Sequence, residues 1–301
     1  MEYYFLIALS GILLACDFVV TKAYQTKFGA SPRAVLVFNA LNGFITAVVF
    51  FFINGFSNGF GFDLTPFSAI MATAAVLCAI LYTLVGFRML KGGTMAMYTI
   101  FLMVGGMVMP YLYGLIFLGE AATLLRIIGV VVMIGAVVVC NLQGRIKASS
   151  MIVLGIAVFL LNGGLSIVSK QHQIDSGFAT VGVESFVVLT GIAKFAISAV
   201  ALIFVKKGKE DGAKGDLLKP SILARAIPWV AASAVFSGVS YLLQLIGAGN
   251  LPASVLYPMV TGGSIVFSSL AGRIVYKDKL TWQQYVGMGL CVAGTCLFLE
   301  F

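Results

Sequence analysis

Charged residues are scarce in this chain: Asp, Glu, Lys and Arg together make up 10% of its 301 residues. Soluble domains carry about 25% charged residues, so these few cannot cover a water-exposed surface. Because 60% of the residues are hydrophobic and the mean hydropathy is +1.06, most of the chain is expected to face lipid or other apolar helices. The sequence therefore predicts an integral membrane protein with no room for an extramembrane catalytic domain.

Residues that build metal, redox and nucleotide sites are also sparse. His172 is the one histidine; it is expected to be a solvated residue at a helix end, and it leaves no material for a histidine zinc site or a Ser-His-Asp triad. The five cysteines lie in apolar runs without a CxxC pair, which favours lipid-buried thiols over a disulfide or a metal site. No GxxxxGK[ST] pattern occurs, so direct drive by ATP is not expected. No cofactor is predicted.

Ten apolar runs, separated by turns rich in Gly, Pro and charge, predict ten transmembrane helices. The predicted spans are 4–21, 34–56, 66–90, 94–118, 123–142, 151–169, 181–205, 222–246, 253–275 and 282–299.

Basic residues are distributed unevenly among the connections. The odd-numbered connections hold 16 of the 19 Lys and Arg residues, counting those near the helix ends. Cytoplasmic loops of membrane proteins are enriched in these residues, so the odd-numbered connections are predicted to be cytoplasmic and both termini to lie outside. This pattern accounts for the net charge of +8 without a nucleic-acid site, and no nucleic-acid partner is predicted.

The chain also carries an internal repeat. Motifs recur in the same order in the two halves: Thr21-Lys22 and Ser169-Lys170, Gly105-Gly106 and Gly262-Gly263, and the equally spaced pairs Glu120…Gly129 and Asp278…Gly287. The repeat predicts two five-helix units, residues 1–146 and 147–301. Because five is odd, the second unit would be inverted relative to the first, which is typical of secondary transporters with a binding site near the midplane.

The chain resembles the drug/metabolite transporter superfamily, specifically its EamA-like ten-helix exporters. The resemblance covers essentially the whole chain and rests on the order of the segment Asp17-Phe18-Val19-Val20-Thr21-Lys22, Ser31-Pro32 at the start of the second helix, and Leu118-Gly119-Glu120 after the fourth. It implies transport of a small metabolite or a drug, with helices one, three, four, six, eight and nine around a central cavity. It also implies that the fifth and tenth helices pack together, for which Gly289-xxx-Ala293 is suited.

Three ionisable residues inside the predicted spans are candidates for substrate binding or coupling, because a charge in the hydrocarbon costs at least about 2.5–3.5 kcal/mol. Asp17 lies near the cytoplasmic end of the first helix, Glu184 near the outer end of the seventh, and Lys194 near the midplane. The alternatives are structural. Asp17 could pair with Lys22 or with polar groups of a neighbouring helix, such as Asn39 and Asn42. Glu184 could reach water, and Lys194 could lock two helices through an ion pair.

Uncharged polar residues complete the candidate set. Asn39 stands where the resembling family often carries Arg, and the other residues lie on the helices that the resemblance places around the cavity. Each has interhelical hydrogen bonding as its alternative role. These candidates are Asn39, Tyr82, Tyr98, Asn162, Tyr241, Gln244, Tyr257 and Thr261.

The sequence thus predicts a multi-pass secondary transporter of the cell membrane. It would export a small metabolite such as an amino acid by alternating access, as a monomer or a homodimer, with protons among the candidate coupling ions. A multidrug exporter of the same fold is the first alternative. A lipid-modifying membrane enzyme is less favoured, because it would need clustered Asp, Glu or His at one membrane face and the 11 acidic residues are scattered.

Overall fold

The computed structural model describes residues 2–29, 31–60, 62–92, 95–121, 123–140, 149–205, 218–275, 277 and 281–297. Within these ranges it contains ten α-helices and no strands. They are α1 (Glu2–Phe28), α2 (Pro32–Asn58), α3 (Pro66–Gly92), α4 (Met95–Phe117), α5 (Leu124–Cys140), α6 (Ser149–Ile174), α7 (Val183–Phe204), α8 (Pro220–Asn250), α9 (Ala253–Val275) and α10 (Trp282–Cys296).

Seven of these helices have a described stretch long and apolar enough to cross a bilayer, and α4, α5 and α10 have shorter apolar stretches. Large side chains on the outside are apolar, among them Phe56 (82% exposed), Ile203 (78%) and Phe204 (78%). Such side chains are costly in water and favourable against lipid tails. The predicted all-helical, multi-pass membrane protein is confirmed.

Several helices run past the apolar spans that predicted them. α1 continues to Phe28, two turns beyond the predicted end at residue 21, and α6 continues to Ile174, five residues beyond its predicted end. Hydropathy marks where side chains leave the hydrocarbon, whereas Lys and Gln are good helix formers that let the backbone continue. The membrane boundary and the helix boundary therefore differ.

The start of α2 follows the predicted turn chemistry. The Ser31 hydroxyl accepts a hydrogen bond from the Ala34 amide at 3.1 Å, and Pro32 occupies the first helical position. Proline is suited to that position because its missing N–H would have no partner there. The helix ends at Gly59, whose φ of 72° is left-handed backbone that a residue with a Cβ rarely adopts.

The most extensive helix–helix contacts join the first half of the chain to the second, rather than helices of the same half. α2 packs along α7, and α5 along α10. α1 lies against α8 and α9, while α3 and α4 lie against α6. The two halves are interleaved, so a site between them is built from helices of both.

Two glycines allow α2 and α7 to cross closely. A Cβ on Gly43 would lie 2.7 Å from the Gly191 carbonyl oxygen, and a Cβ on Gly191 would lie 2.9 Å from the Gly43 oxygen. Real Cβ atoms do not approach other atoms so closely, so only glycine fits on either side. This crossing lies beside Asn42 and Lys194 and holds their backbones together.

α5 and α10 pack together, although not through the glycine singled out in the sequence. A Cβ added to Gly289 would meet no described atom within 4 Å, whereas one on Gly294 would meet the Gly129 carbonyl oxygen at 3.3 Å. The prediction for Gly289 is wrong, because α10 comes close to α5 at Gly294, one to two turns further along the helix. Gly289 faces outward.

Candidate functional site

The candidate site is built around Lys194, which lies near the middle of α7. It is eleven residues from the start of the helix, about 16 Å at a rise of about 1.5 Å per residue. The Lys194 ammonium donates a hydrogen bond to the Asn42 side-chain oxygen of α2 at 2.7 Å. Because both residues flank the tight crossing of α2 and α7, the separation of their backbones is set by packing.

A chain of hydrogen bonds leads from this pair to Asp17. The Asn42 amide nitrogen donates to the Ser233 hydroxyl of α8 at 3.3 Å, and the Ser233 hydroxyl in turn donates to the Asp17 carboxylate of α1. Thr21 donates to the same carboxylate oxygen at 3.4 Å. Along this series of hydrogen bonds, each side chain donates to the next one in the direction from Lys194 to Asp17. The series links four helices. We call Lys194, Asn42, Ser233 and Asp17 the polar chain.

The polar chain borders a cavity of about 200 Å³. Its lining comes from α2, α3, α6, α7 and α8, and thus from both halves. The lining residues are Asn42, Thr46, Ala75, Val76, Ala79, Tyr82, Leu165, Val187, Thr190, Gly191, Lys194, Ser237, Gly238 and Tyr241.

The lining combines one ammonium group with hydroxyl groups and an apolar surface. Among the described lining residues, Lys194 is the one charged side chain. The Tyr241 hydroxyl is held at 2.8 Å from the Ser169 hydroxyl, which fixes its ring at the wall. Binding sites for small molecules have this composition, a largely apolar wall with a few convergent polar groups.

Four of the predicted site residues come together here. Tyr82, Lys194 and Tyr241 line the cavity, and Asp17 lies one hydrogen bond behind it through Ser233. Asp17 and Lys194 are linked by two uncharged side chains rather than by a direct ion pair.

Other predicted residues lie away from the cavity lining. The Asn162 amide donates to the Leu102 carbonyl of α4 at 2.8 Å, and the Tyr257 hydroxyl donates to the Ser166 carbonyl of α6 at 2.5 Å. Gln244 donates to the Ser240 hydroxyl of its own helix at 3.1 Å. The contacts of Asn162 and Tyr257 are the interhelical hydrogen bonds named as the alternative role, whereas the Gln244 contact lies within one helix.

The remaining predicted residues also lie outside the described lining. Asn39 and Thr261 are buried between helices, at 7% and 6% exposure. Glu184 is half-buried in the first turn of α7. The side chain of Tyr98 lies outside the described part of the chain.

The helices around the cavity differ from those expected. Within the described residues, α2 and α7 supply lining side chains, whereas α1, α4 and α9 supply none. The close crossing at Gly43 and Gly191 brings α2 and α7 inward, while α1 is covered by its contacts with α8 and α9. The expectation that helices one, four and nine also surround a central cavity stays a prediction.

Sequence reasoning overlooked most of the short polar residues at the site. Burying an uncharged hydroxyl group costs much less free energy than burying a charge, so the sequence did not single out Thr46, Thr190, Ser233 and Ser237. Asn42 was considered only as a structural partner of Asp17. A periodic signal exists: the lining positions of α7 are Val187, Thr190, Gly191 and Lys194, a spacing of three and four that defines one helix face.

Further polar contacts lie where α6 and α8 end and α9 begins. We call this end of the helices the Lys170 end. The buried Lys170 ammonium of α6 donates to the carbonyls of Ala248 and Leu251 at 2.7 and 2.6 Å. These carbonyls terminate α8 and have no partner further along the helix. The orientation predicted from the basic residues would make this the extracellular end, and that orientation stays a prediction.

Glu120 closes the same connection from the other side. Its carboxylate accepts hydrogen bonds from the amides of Ala253 and Ser254 at 2.6 and 2.8 Å. These are the first residues of α9, where unpaired amides and the helix dipole favour a negative charge. A cation and an anion therefore hold the two helix ends that meet at the α8–α9 connection.

His172 lies at the Lys170 end as well, and its environment contradicts the expected solvated role. The side chain is 1% exposed, its Nε2 lies 2.8 Å from the Ser68 hydroxyl, and its ring stacks on Phe186 at 3.7 Å. α6 continues past the predicted span, which places the residue between α3 and α7 instead of in water. Nearby, a hydrogen bond from Gln171 lowers the pKa of the Asp175 carboxyl beyond the helix end.

No protein-family model matches the chain. The chain is 33% identical over 69 residues to the probable 4-amino-4-deoxy-L-arabinose-phosphoundecaprenol flippase subunit ArnE of Enterobacter sp. (strain 638), covering 23% of this chain and 64% of that protein. The protein of the same name from Hamiltonella defensa subsp. Acyrthosiphon pisum (strain 5AT) is 28% identical over 79 residues, covering 26% of this chain and 70% of that protein. The match thus spans less than two thirds of the first relative's length.

A solved crystal structure superposes on nearly the whole chain. The TM-score is 0.74, with 18% sequence identity, and the superposition covers 99% of this chain and 96% of that chain. At this identity the likeness shows a shared fold and says nothing of a substrate.

Proposed function

We propose that this protein is a secondary transporter of a cell membrane, of the drug/metabolite transporter kind, that moves a small metabolite by alternating access. One observation carries the proposal: a cavity of about 200 Å³ between the two halves, with Lys194 in its wall near the middle of α7. A buried charge in a membrane helix marks a substrate or ion pathway by default.

Two further findings support this proposal. The matched relatives are described as flippase subunits, which is a transport activity. The helix contacts occur in equivalent pairs, as two similar five-helix units would give: α1 with α8 corresponds to α6 with α3, and α1 with α9 corresponds to α6 with α4. This pairing supports the proposed inverted repeat. In such repeats, rocking of one unit on the other exposes a central site to each side in turn.

The size of the cavity favours a metabolite over a drug. Sites for drug-sized ligands measure about 300–1,000 Å³, and this cavity is smaller at about 200 Å³. Export of an amino acid or a related compound is therefore our first proposal, and multidrug export the second. The resemblance to flippase subunits makes movement of a lipid-linked headgroup a third outcome to be measured.

Transport by purified protein in proteoliposomes tests the proposal. Uptake of radiolabelled amino acids, organic acids, sugars and phosphates would be compared for the wild type, Lys194→Gln and Lys219→Gln. Lys219 is exposed before α8, so the second variant is a control for the same chemical change. We expect uptake of at least one compound by the wild type and the control, and its loss in Lys194→Gln.

The same vesicles address coupling and the competing functions. We propose protons as the coupling ion, so a pH gradient imposed without a substrate gradient is expected to drive accumulation. Movement of a fluorescent lipid between leaflets, or turnover of a lipid substrate, in the absence of any small-molecule uptake would contradict the proposal. Either result would favour a flippase or a membrane enzyme instead.

A further inference from the structure

Resting on the proposed transport function, we propose that the cavity selects a substrate with a single anionic group, such as a carboxylate. That group binds the Lys194 ammonium, and Asp17 acts through Ser233 and Asn42 as a positioning residue for it.

The first argument is the incomplete pairing of Lys194. An ammonium group has three donors, and the described structure gives one of them to the Asn42 oxygen at 2.7 Å. This partner is neutral, and the carboxylate that the chain of hydrogen bonds reaches is two side chains away. A charge left uncompensated in a low-dielectric interior is destabilising, and an anionic substrate would compensate it.

The second argument is the composition of the wall. No Asp or Glu occurs among the described lining residues, so a cationic substrate would meet a like charge at the wall and no carboxylate in direct contact. The apolar side of the cavity, which includes Val76, Leu165 and Val187, suits an uncharged carbon skeleton. The lining therefore discriminates by sign of charge as well as by size.

The third argument is the direction of the polar chain. The Ser233 hydroxyl donates to Asp17, so its lone pair faces the Asn42 amide, which donates to it at 3.3 Å. This fixes which way the Asn42 amide is turned and presents its oxygen to Lys194. Asp17 thereby sets the position of the ammonium without touching the cavity, and the remaining Lys194 donors stay available to a ligand.

Binding of matched acid and amide probes tests the selection. Thermal unfolding of the detergent-purified protein would be followed with benzoate and benzamide, lactate and lactamide, and N-acetylalanine and its amide. We expect stabilisation by at least one carboxylate and none by its neutral partner. Equal binding of an acid and its amide, or no binding of any acid, would overturn the inference.

Variants of Lys194 identify the group that selects the charge. Lys194→Gln is expected to weaken binding of the acid at least about tenfold, as loss of a charge-assisted hydrogen bond does. Lys194→Arg, which keeps the charge, and the exposed control Lys219→Gln are expected to retain it. Unchanged acid binding by a folded, monodisperse Lys194→Gln would show that the ammonium is a structural lock between α2 and α7.

A double-mutant cycle tests the positioning role of Asp17. Asp17→Ala, which removes the oxygen that accepts from Ser233, is expected to raise the dissociation constant for the acid about tenfold in the wild-type background and to have almost no effect in the Lys194→Gln background. An equal effect in both backgrounds would mean that Asp17 acts on stability alone. Acid binding without any transport would contradict the proposed transport function but support the selection of an anionic group. Uptake of neutral compounds that is unaffected by Lys194→Gln would support transport but contradict this selection.

Discussion

Lys170 of α6 donates a hydrogen bond to the backbone carbonyl of Leu251 at 2.6 Å, and a second to that of Ala248. The contact joins the end of α6 to the connection between α8 and α9. Lys170 is not among the residues that line the cavity, so its effect on stability can be measured apart from selection by Lys194.

Replacing Lys170 by Met is expected to lower stability. The variant leaves two carbonyls at the end of α8 without their donor, and hydrogen bonds from charged groups contribute about 1.5–3 kcal/mol. A lower melting temperature of the purified protein would show this loss. Lys219→Met, at an exposed position, is the control and is expected to melt as the wild type does; equal melting of both variants would contradict the role of Lys170.

Glu120→Ala is expected to destabilise the same connection from the other side. The carboxylate caps the first amides of α9, at Ala253 and Ser254, and loss of a helix cap costs about 0.5–2 kcal/mol. Because Lys170 and Glu120 hold one connection, the double variant should lose less than the sum of the two single losses. Additive changes in melting temperature would show instead that the two contacts are independent.

Gly191→Ala is expected to lower stability, and Gly289→Ala is not. At Gly191 the new methyl would lie 2.7 Å from the Ala47 amide nitrogen of α2, whereas at Gly289 it would meet nothing within 4 Å. Overpacking costs about 1–3 kcal/mol, while Ala favours a helix over Gly by roughly 0.5–1 kcal/mol. Thermal unfolding should therefore show a loss for Gly191→Ala and none for Gly289→Ala. The same result for both would refute the close crossing.

The ten helices could be predicted because the thickness of the hydrocarbon dictates the length of each apolar run. Lys194 and Asp17 could be singled out because a buried charge is expensive wherever it occurs. The hydrogen bonds that join them could not be predicted. Asn42 and Ser233 are uncharged, so burying them costs little free energy and gives no signal in the sequence. They lie on two different helices, and their contact depends on which helix faces cross, a tertiary property that one sequence does not reveal.

The depth and surroundings of His172 were mispredicted for a related reason. Apolar runs locate the lipid boundary, and α6 extends past that boundary to Ile174 inside the protein. A polar helix end can therefore be buried against neighbouring helices, as the stacking of His172 on Phe186 shows. Hydropathy carries no information about such burial.

Asn42 and Asn162, which both make interhelical hydrogen bonds, give a matched comparison of the site with the scaffold. Asn42 contacts Lys194 at the cavity, whereas Asn162 ties α6 to the Leu102 carbonyl of α4 at 2.8 Å and is not among the lining residues. Asn162→Ala should therefore cost about 0.6 kcal/mol, the average for a hydrogen bond between membrane helices, and leave substrate affinity unchanged.

Asn42→Ala, unlike Asn162→Ala, should weaken substrate binding. In this variant Lys194 loses the oxygen that orients it, and Ser233 loses its donor. Transport kinetics in proteoliposomes check this through KM, with melting temperatures of both variants measured alongside. If KM rises equally in the two variants, or in Asn162→Ala alone, the polar chain does not position the binding group, and the contact between α4 and α6 would have to be considered as the site instead.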